Sequence, residues 1–293
     1  MTQPGRHRRG SGPLGGVGTV IVGVIAGFVV VALLVVMGAE VFGQNGHKKP
    51  PAKAVAPPTQ STTTTPVIPV PHVSQAVLDK LPLATTEGKV PKAVINLTAP
   101  SGGRTLEISR NMPGFARPGA DPIVLIPNKQ IGMTTWLPVI HTRAGWAQVR
   151  LPARPNGATA WVPMAGLNEA RTDWSVLVNL SAGTLTVRKA GHVQGSWSVG
   201  QGQRATPTPT GQTFLLSGFV DPTQTFSPII YALGAHSNTL DSFGGGPGTV
   251  AVHGWPTAAG RHGYVSHGCV RVPAAALKMF AKLPTGTPVD IVT

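Results

Sequence analysis

Two residues near the C-terminal end carry the most reactive chemistry in this chain. His253 stands in the run Val250–Gly254, and Cys269 stands sixteen residues later in Ser266-His267-Gly268-Cys269-Val270-Arg271. A free thiol with a pKa of about 8.5 is only a few per cent thiolate at neutral pH. A neighbouring imidazole can take its proton and leave an attacking sulfur. A histidine ending one strand and a cysteine beginning another can meet without being sequence neighbours. Gly268 frees the backbone N–H groups around Cys269 to point at a developing oxyanion. A lone cysteine also has a plain reading as a small buried hydrophobe. Cys269 is the chain's single cysteine, which excludes an intramolecular disulfide and any multi-cysteine metal site.

The elements that must position this pair read as β-structure. Ser175–Leu180 and Thr184–Arg188 alternate around Ser181-Ala182-Gly183, and 194–199, 214–219 and 249–252 are further strands. Thr206–Gly211 (TPTPTG) must be an irregular loop, because its two prolines cannot donate to a ladder. Pro273 opens a helix over AAALKMFAKL, which Pro284 and Gly286 end. A last short strand lies near 289–292. Many strands and one helix predict a sandwich-like or barrel-like β fold for residues 174–293. Residues 76–173 read as a small β-rich accessory domain. Its clearest piece is a hairpin over 146–163, with Asn156-Gly157 at the turn because both residues tolerate positive φ. That hairpin resembles the small Src-homology-like β-barrels that often precede bacterial wall enzymes.

The front of the chain is of a different kind. No charged residue occurs between Gly10 and Ala39, and the 21 residues Val17–Met37 are strongly apolar. As a helix they span about 31 Å, close to the roughly 30 Å core of a bilayer. The expectation is a short basic cytoplasmic tail over 1–16, one transmembrane helix over 17–39 and a Pro/Thr-rich linker over 40–75. A cleaved signal peptide is the rival reading, but its apolar region is usually shorter. Gln44–Ser74 holds seven prolines, and its 31 residues reach roughly 95 Å if extended. This arrangement predicts a single-pass protein of the cell membrane with its folded regions on the outer side.

The formal net charge of +14 is spread along the chain rather than gathered into one basic stripe. That argues against nucleic acid as a partner. It suits work beside a polyanion such as a bacterial envelope, and equally plain solubility at neutral pH. His236, His253, His262 and His267 could make a metal site. Yet no His-x-x-x-His pattern is present, and only Asp221, Asp241 and Asp290 supply carboxylates in the last domain. The reading therefore calls for no metal and no cofactor.

With His253-Gly254 and SHGCVR at 266–271, residues 174–293 resemble the YkuD-type L,D-transpeptidases of bacterial cell walls. Ser198-Val199-Gly200 and Thr208-Pro209-Thr210-Gly211 fit the same pattern. The chain departs at Trp255, where many members carry Thr. The resemblance implies that Cys269 attacks the carbonyl before the terminal D-alanine of a peptidoglycan tetrapeptide stem. D-alanine leaves, a thioester remains, and an acceptor amine resolves it in a cross-link. His253 would be the general base, oriented by the Gly254 carbonyl. The N–H groups of Gly268 and Cys269 would form much of the oxyanion hole. Ser266 and His267 would brace the cysteine loop, though His267 could equally be a packed structural histidine. Arg271 would bind a stem carboxylate or pair with Asp241 or Asp290. His236, Ser237 and Tyr231 would line the substrate cleft. The implied partners are peptidoglycan stem peptides, with carbapenem-type inhibitors acylating the same thiol. The alternatives are a non-catalytic wall-binding protein and an L,D-carboxypeptidase that uses water as acceptor.

Overall fold

The computed structural model describes residues 66–293, so the apolar span at 17–37 and most of the linker lie outside the described residues. Among the described residues no helix is long and apolar enough to cross a membrane. The structure is mainly β, built on an eight-stranded and a ten-stranded sheet.

In the ten-stranded sheet the order is His192–Ser198, Thr184–Lys189, Trp174–Asn179, Pro288–Val292, Gly211–Phe219, Ile230–His236, Thr249–Gly254, Val270–Val272, Gly200–Gly202, Gly263–Ser266. The chain's last strand pairs in parallel with Trp174–Asn179, so the end of the domain closes onto its beginning. Alternation dictates the faces. Val176 and Val178, with Leu185 and Val187 on the next strand, point into one core, while Leu177 and Thr186 point away. The helix forms over Ala274–Phe280, starting after Pro273. It buries Ala276, Leu277 and Phe280, a spacing that puts all three on one helical face.

The eight-stranded sheet runs through Glu169–Arg171, Arg104–Glu107, Trp136–Arg143, Trp146–Arg150, Ala158–Pro163, Met112–Phe115 and Pro122–Ile126, with Val94–Ile95 beside Ala158–Pro163. The 146–163 hairpin forms with Val149 opposite Ala160. Its connection spans residues 151–157 rather than a tight two-residue turn. The stretch is longer because Leu151 and Ala153 are themselves buried in the core.

One strand of the ten-stranded sheet sends side chains into both cores. Along Gly211–Phe219, Phe214 and Leu216 pack into the core of the eight-stranded sheet, whereas Leu215 packs into the core of the ten-stranded sheet. Both faces of this strand are dry, which is why its sequence reads FLL rather than an alternating pattern. The accessory region is thus welded to the sheet that carries His253 and Cys269.

Candidate active site

Thr249–Gly254 and Val270–Val272 lie side by side in parallel, with His253 opposite Arg271. Residues two apart on a strand share a face, so Cys269, just before the second strand, points to the side that His253 and Arg271 occupy. All three line one cleft of about 240 Å³, together with Phe226, Thr249 and Trp255. Two larger hollows elsewhere on the described surface touch neither Cys269 nor His253.

The imidazole of His253 is 7% exposed, and its Nδ1 lies 2.8 Å from the carbonyl oxygen of Gly254. That contact makes Nδ1 the N–H donor and leaves Nε2 with the lone pair a base needs. Burial lowers the imidazole pKa to about 4, the Gly254 carbonyl opposes that shift, and the Arg271 charge adds to it. His253 is therefore neutral at pH 7. Gly254 is held in turn, its N–H donating to Ser227 Oγ at 2.7 Å while that hydroxyl donates to the Ile229 carbonyl at 2.6 Å. Phe226, one residue before Ser227, packs on the imidazole with ring centroids 5.0 Å apart.

Cys269 is partly exposed to the cleft. Burial of its sulfur pushes the thiol pKa up, while a backbone hydrogen bond from Ala251 and the Arg271 charge pull it down. The thiol points its hydrogen at the Thr249 carbonyl, 3.9 Å away. The resting pair is thus thiol and neutral imidazole rather than thiolate and imidazolium.

The loop before the thiol is braced from two sides. Ser266 Oγ donates to the Cys269 carbonyl at 2.6 Å and accepts from the Gly268 N–H at 3.1 Å. Thr208 Oγ1 donates to the Gly268 carbonyl at 2.8 Å and accepts from the Gly202 N–H at 2.9 Å. Gly268 sits at φ +120°, a conformation that only glycine takes without strain. The Gly268 N–H is occupied by the Ser266 hydroxyl.

The remaining sequence candidates separate. Ser237 lines the cleft, but its hydroxyl accepts from the N–H groups of Thr239 and Leu240. His267 is exposed and stacks on Phe243 at 4.7 Å. His236 is buried, with Nδ1 2.6 Å from the Ser237 carbonyl and Nε2 3.3 Å from that of Asp241, so it shapes a loop rather than the cleft wall. Tyr231 lies in the core, its hydroxyl donating to the Leu277 carbonyl and its ring against Phe280. It is kept from the cleft because its strand turns that face toward the helix. Arg271 pairs with neither Asp241 nor Asp290. Asp241 is bound to Arg154, and the Arg271 guanidinium lies 3.5 Å over the ring of Trp255 with its Nε buried and unpartnered. Sequence reasoning missed Phe226 and Ser227, which come from a loop with no motif.

Residues 173–291 match the family model described as YkuD, the L,D-transpeptidase catalytic domain. This region is a YkuD domain. No curated protein matches the chain. Among solved structures, an Enterococcus faecium L,D-transpeptidase mutant is similar at 20% identity and a TM-score of 0.32, over 41% of this chain and 49% of that one. The chain thus matches about half the length of that protein. L,D-transpeptidase 3 from Mycobacterium tuberculosis, in complex with a faropenem-derived adduct, is similar at 16% identity and a TM-score of 0.36, over 47% of this chain and 75% of that one. A Mycobacterium smegmatis L,D-transpeptidase matches at 17% identity and a TM-score of 0.34, over 50% and 91% of the two chains. The YkuD domain is the part of the chain that holds the cleft, His253 and the single thiol.

Proposed function

We propose that this protein is an L,D-transpeptidase that cross-links peptidoglycan stems through a thioester on Cys269. The observation that carries the reading is the pairing, on one cleft of a YkuD domain, of the only thiol with a neutral imidazole whose Nδ1 is tied to the Gly254 carbonyl. In the first half-reaction His253 Nε2 takes the thiol proton as Sγ bonds to the carbonyl carbon before the terminal D-alanine. The Cys269 N–H donates to the oxyanion that forms. The C–N bond then breaks, and the imidazolium returns the proton to the departing D-alanine amine. In the second half-reaction an acceptor amine attacks the thioester, His253 takes its proton, and the thiol is restored. Arg271, which has no carboxylate partner among the described residues, supplies a fixed cation for a stem carboxylate. The same thiol would take carbapenem-type inhibitors as dead-end acyl donors.

The reading includes the envelope placement. Residues 17–39 would anchor the chain as one transmembrane helix with the YkuD domain on the cell-wall side, and the Pro/Thr-rich linker would let that domain search the wall. The test of activity is incubation with a tetrapeptide stem and an amine acceptor, followed by product sequencing. A product joined through the third-position carbonyl with loss of D-alanine supports the reading. Release of D-alanine with only a tripeptide formed makes the enzyme a carboxypeptidase instead, and no turnover removes the activity.

A further inference from the structure

Asn156 has a role that its place in the hairpin does not explain. Its neighbour Gly157 takes the left-handed conformation at φ +81°, while Asn156 is not among the positive-φ residues. The turn therefore makes no conformational demand for asparagine. Instead the Asn156 side chain reaches the YkuD domain. Its Nδ2 donates to the His236 carbonyl at 2.7 Å and to Asn238 Oδ1 at 3.0 Å, and its Oδ1 accepts from the His236 N–H at 2.9 Å. An amide that satisfies both backbone groups of one residue fixes that residue's position and orientation.

A second contact grips the neighbouring strand on the same rung. His236 is the strand partner of Thr249. Thr249 Oγ1 lies 2.5 Å from the hydroxyl of Thr86, which is buried and also belongs to the accessory region. The Thr249 carbonyl is the group the Cys269 thiol points at. Arg154, two residues before Asn156, adds an ion pair to Asp241 at 2.5 Å on the loop that follows His236. That loop brings Ser237 and Leu240 to the cleft. Three accessory side chains thus meet one end of the strand pair that delivers the catalytic histidine.

We propose that the accessory region is a positioning clamp for Cys269: Asn156 and Thr86 hold the His236–Thr249 rung from both sides and so set where the Thr249 carbonyl meets the thiol. The clamp deepens the transpeptidase reading and rests on Cys269 being its nucleophile. A carbonyl that accepts from S–H favours the protonated sulfur. Releasing it should make the thiol easier to ionise while spoiling its aim. The other titratable groups facing the sulfur across the cleft are His253, His267 and Arg271, and none of the substitutions below touches them.

The test uses the full chain with Thr86→Val, Thr86→Ser and Asn156→Ala, and reads three quantities. Iodoacetamide alkylation of the sole cysteine is followed against pH, acylation by a tetrapeptide stem is timed, and a thermal melt reports folding. Thr86→Val and Asn156→Ala should move the alkylation midpoint to lower pH and slow acylation about tenfold. A misplacement of about 1 Å in a reacting group can cost up to roughly 10²-fold. Thr86→Ser keeps the hydroxyl and should restore both. If Asn156→Ala fails to fold, the Thr86 pair, which differs in the hydroxyl, carries the test. An unchanged midpoint and acylation rate in folded Thr86→Val would overturn the clamp, as would Thr86→Ser behaving like Thr86→Val. If the wild type alkylates normally but never acylates, the transpeptidase reading fails while the alkylation profiles still judge the clamp.

Discussion

At the scale of residues, the cleft sets a buried neutral imidazole beside a thiol whose burial opposes ionisation. His253 has its pKa depressed to about 4, first by burial, against an ordinary value near 6.5. A depressed histidine gives its full stability above the unfolded value. That contribution is lost as pH falls from about 6.5 through about 4, because the unfolded chain then binds a proton the folded one resists. The scale is about 3 kcal/mol. Melts of wild type and His253→Gln at pH 7, 5 and 4 should show the wild type losing stability over that window and the variant losing less. In activity, His253→Ala should slow acylation by at least about 10²-fold, a typical general-base contribution. Arg271 tests the cation. Its planar stack on Trp255 and its free donors suit a bidentate carboxylate, which lysine meets only as a point charge. Arg271→Lys should lose about 1.5–3 kcal/mol in kcat/KM with an unchanged melt. A sharply lower melt, with alkylation by a small uncharged reagent falling in step, would make Arg271 a structural residue instead.

At the scale of elements, the thiol is held by a loop that the TPTPTG segment braces from outside. Thr208 bridges the Gly202 N–H and the Gly268 carbonyl, both buried. Thr208→Val would leave both groups unpaired and should cost about 1–3 kcal/mol in the melt and slow acylation more than it slows product release. Equal loss in a burst and in steady-state turnover would refute that placement. The same elements show what the sequence could and could not display. His253 and Ser266 were legible because their side-chain partners are close in the chain, and Cys269 because it is the single thiol. Ser266 reaches only to residues 268 and 269, and His253 only to 254. Thr208 was legible as part of a motif, but its job depends on a loop sixty residues away. Phe226, Ser227 and Thr86 carry no motif, and Asn156 signals only its turn, because what each does in the site depends on strands that pairing brings alongside. Tyr231 was misplaced because a short strand reading cannot say which face meets the helix. Ile230–His236, Gly200–Gly202 and Gly263–Ser266 escaped as strands. The last two are short and start on glycine, and the first is buried nearly throughout and lacks alternation.

At the scale of the whole molecule, one strand ties the two sheets into a common structure. Phe214 is fully buried on the accessory side of a strand whose Leu215 faces the YkuD core. Phe214→Ala should cost about 3–5 kcal/mol and lower a single transition common to both regions. Two separate transitions would show that the regions fold independently. The proposed anchor is a claim at the same scale. The full chain should fractionate with membranes, and a membrane-impermeant thiol reagent should reach Cys269 on intact protoplasts. Labelling that appears only after lysis would contradict that placement. The central claim, that Cys269 forms a thioester with a peptidoglycan stem, is tested most directly by intact-mass analysis of the protein mixed with a tetrapeptide stem and no acceptor. The account predicts a mass gain equal to the stem less its terminal D-alanine, located on Cys269 and absent from Cys269→Ala. No such adduct on the wild type, or the same adduct on Cys269→Ala, would contradict it.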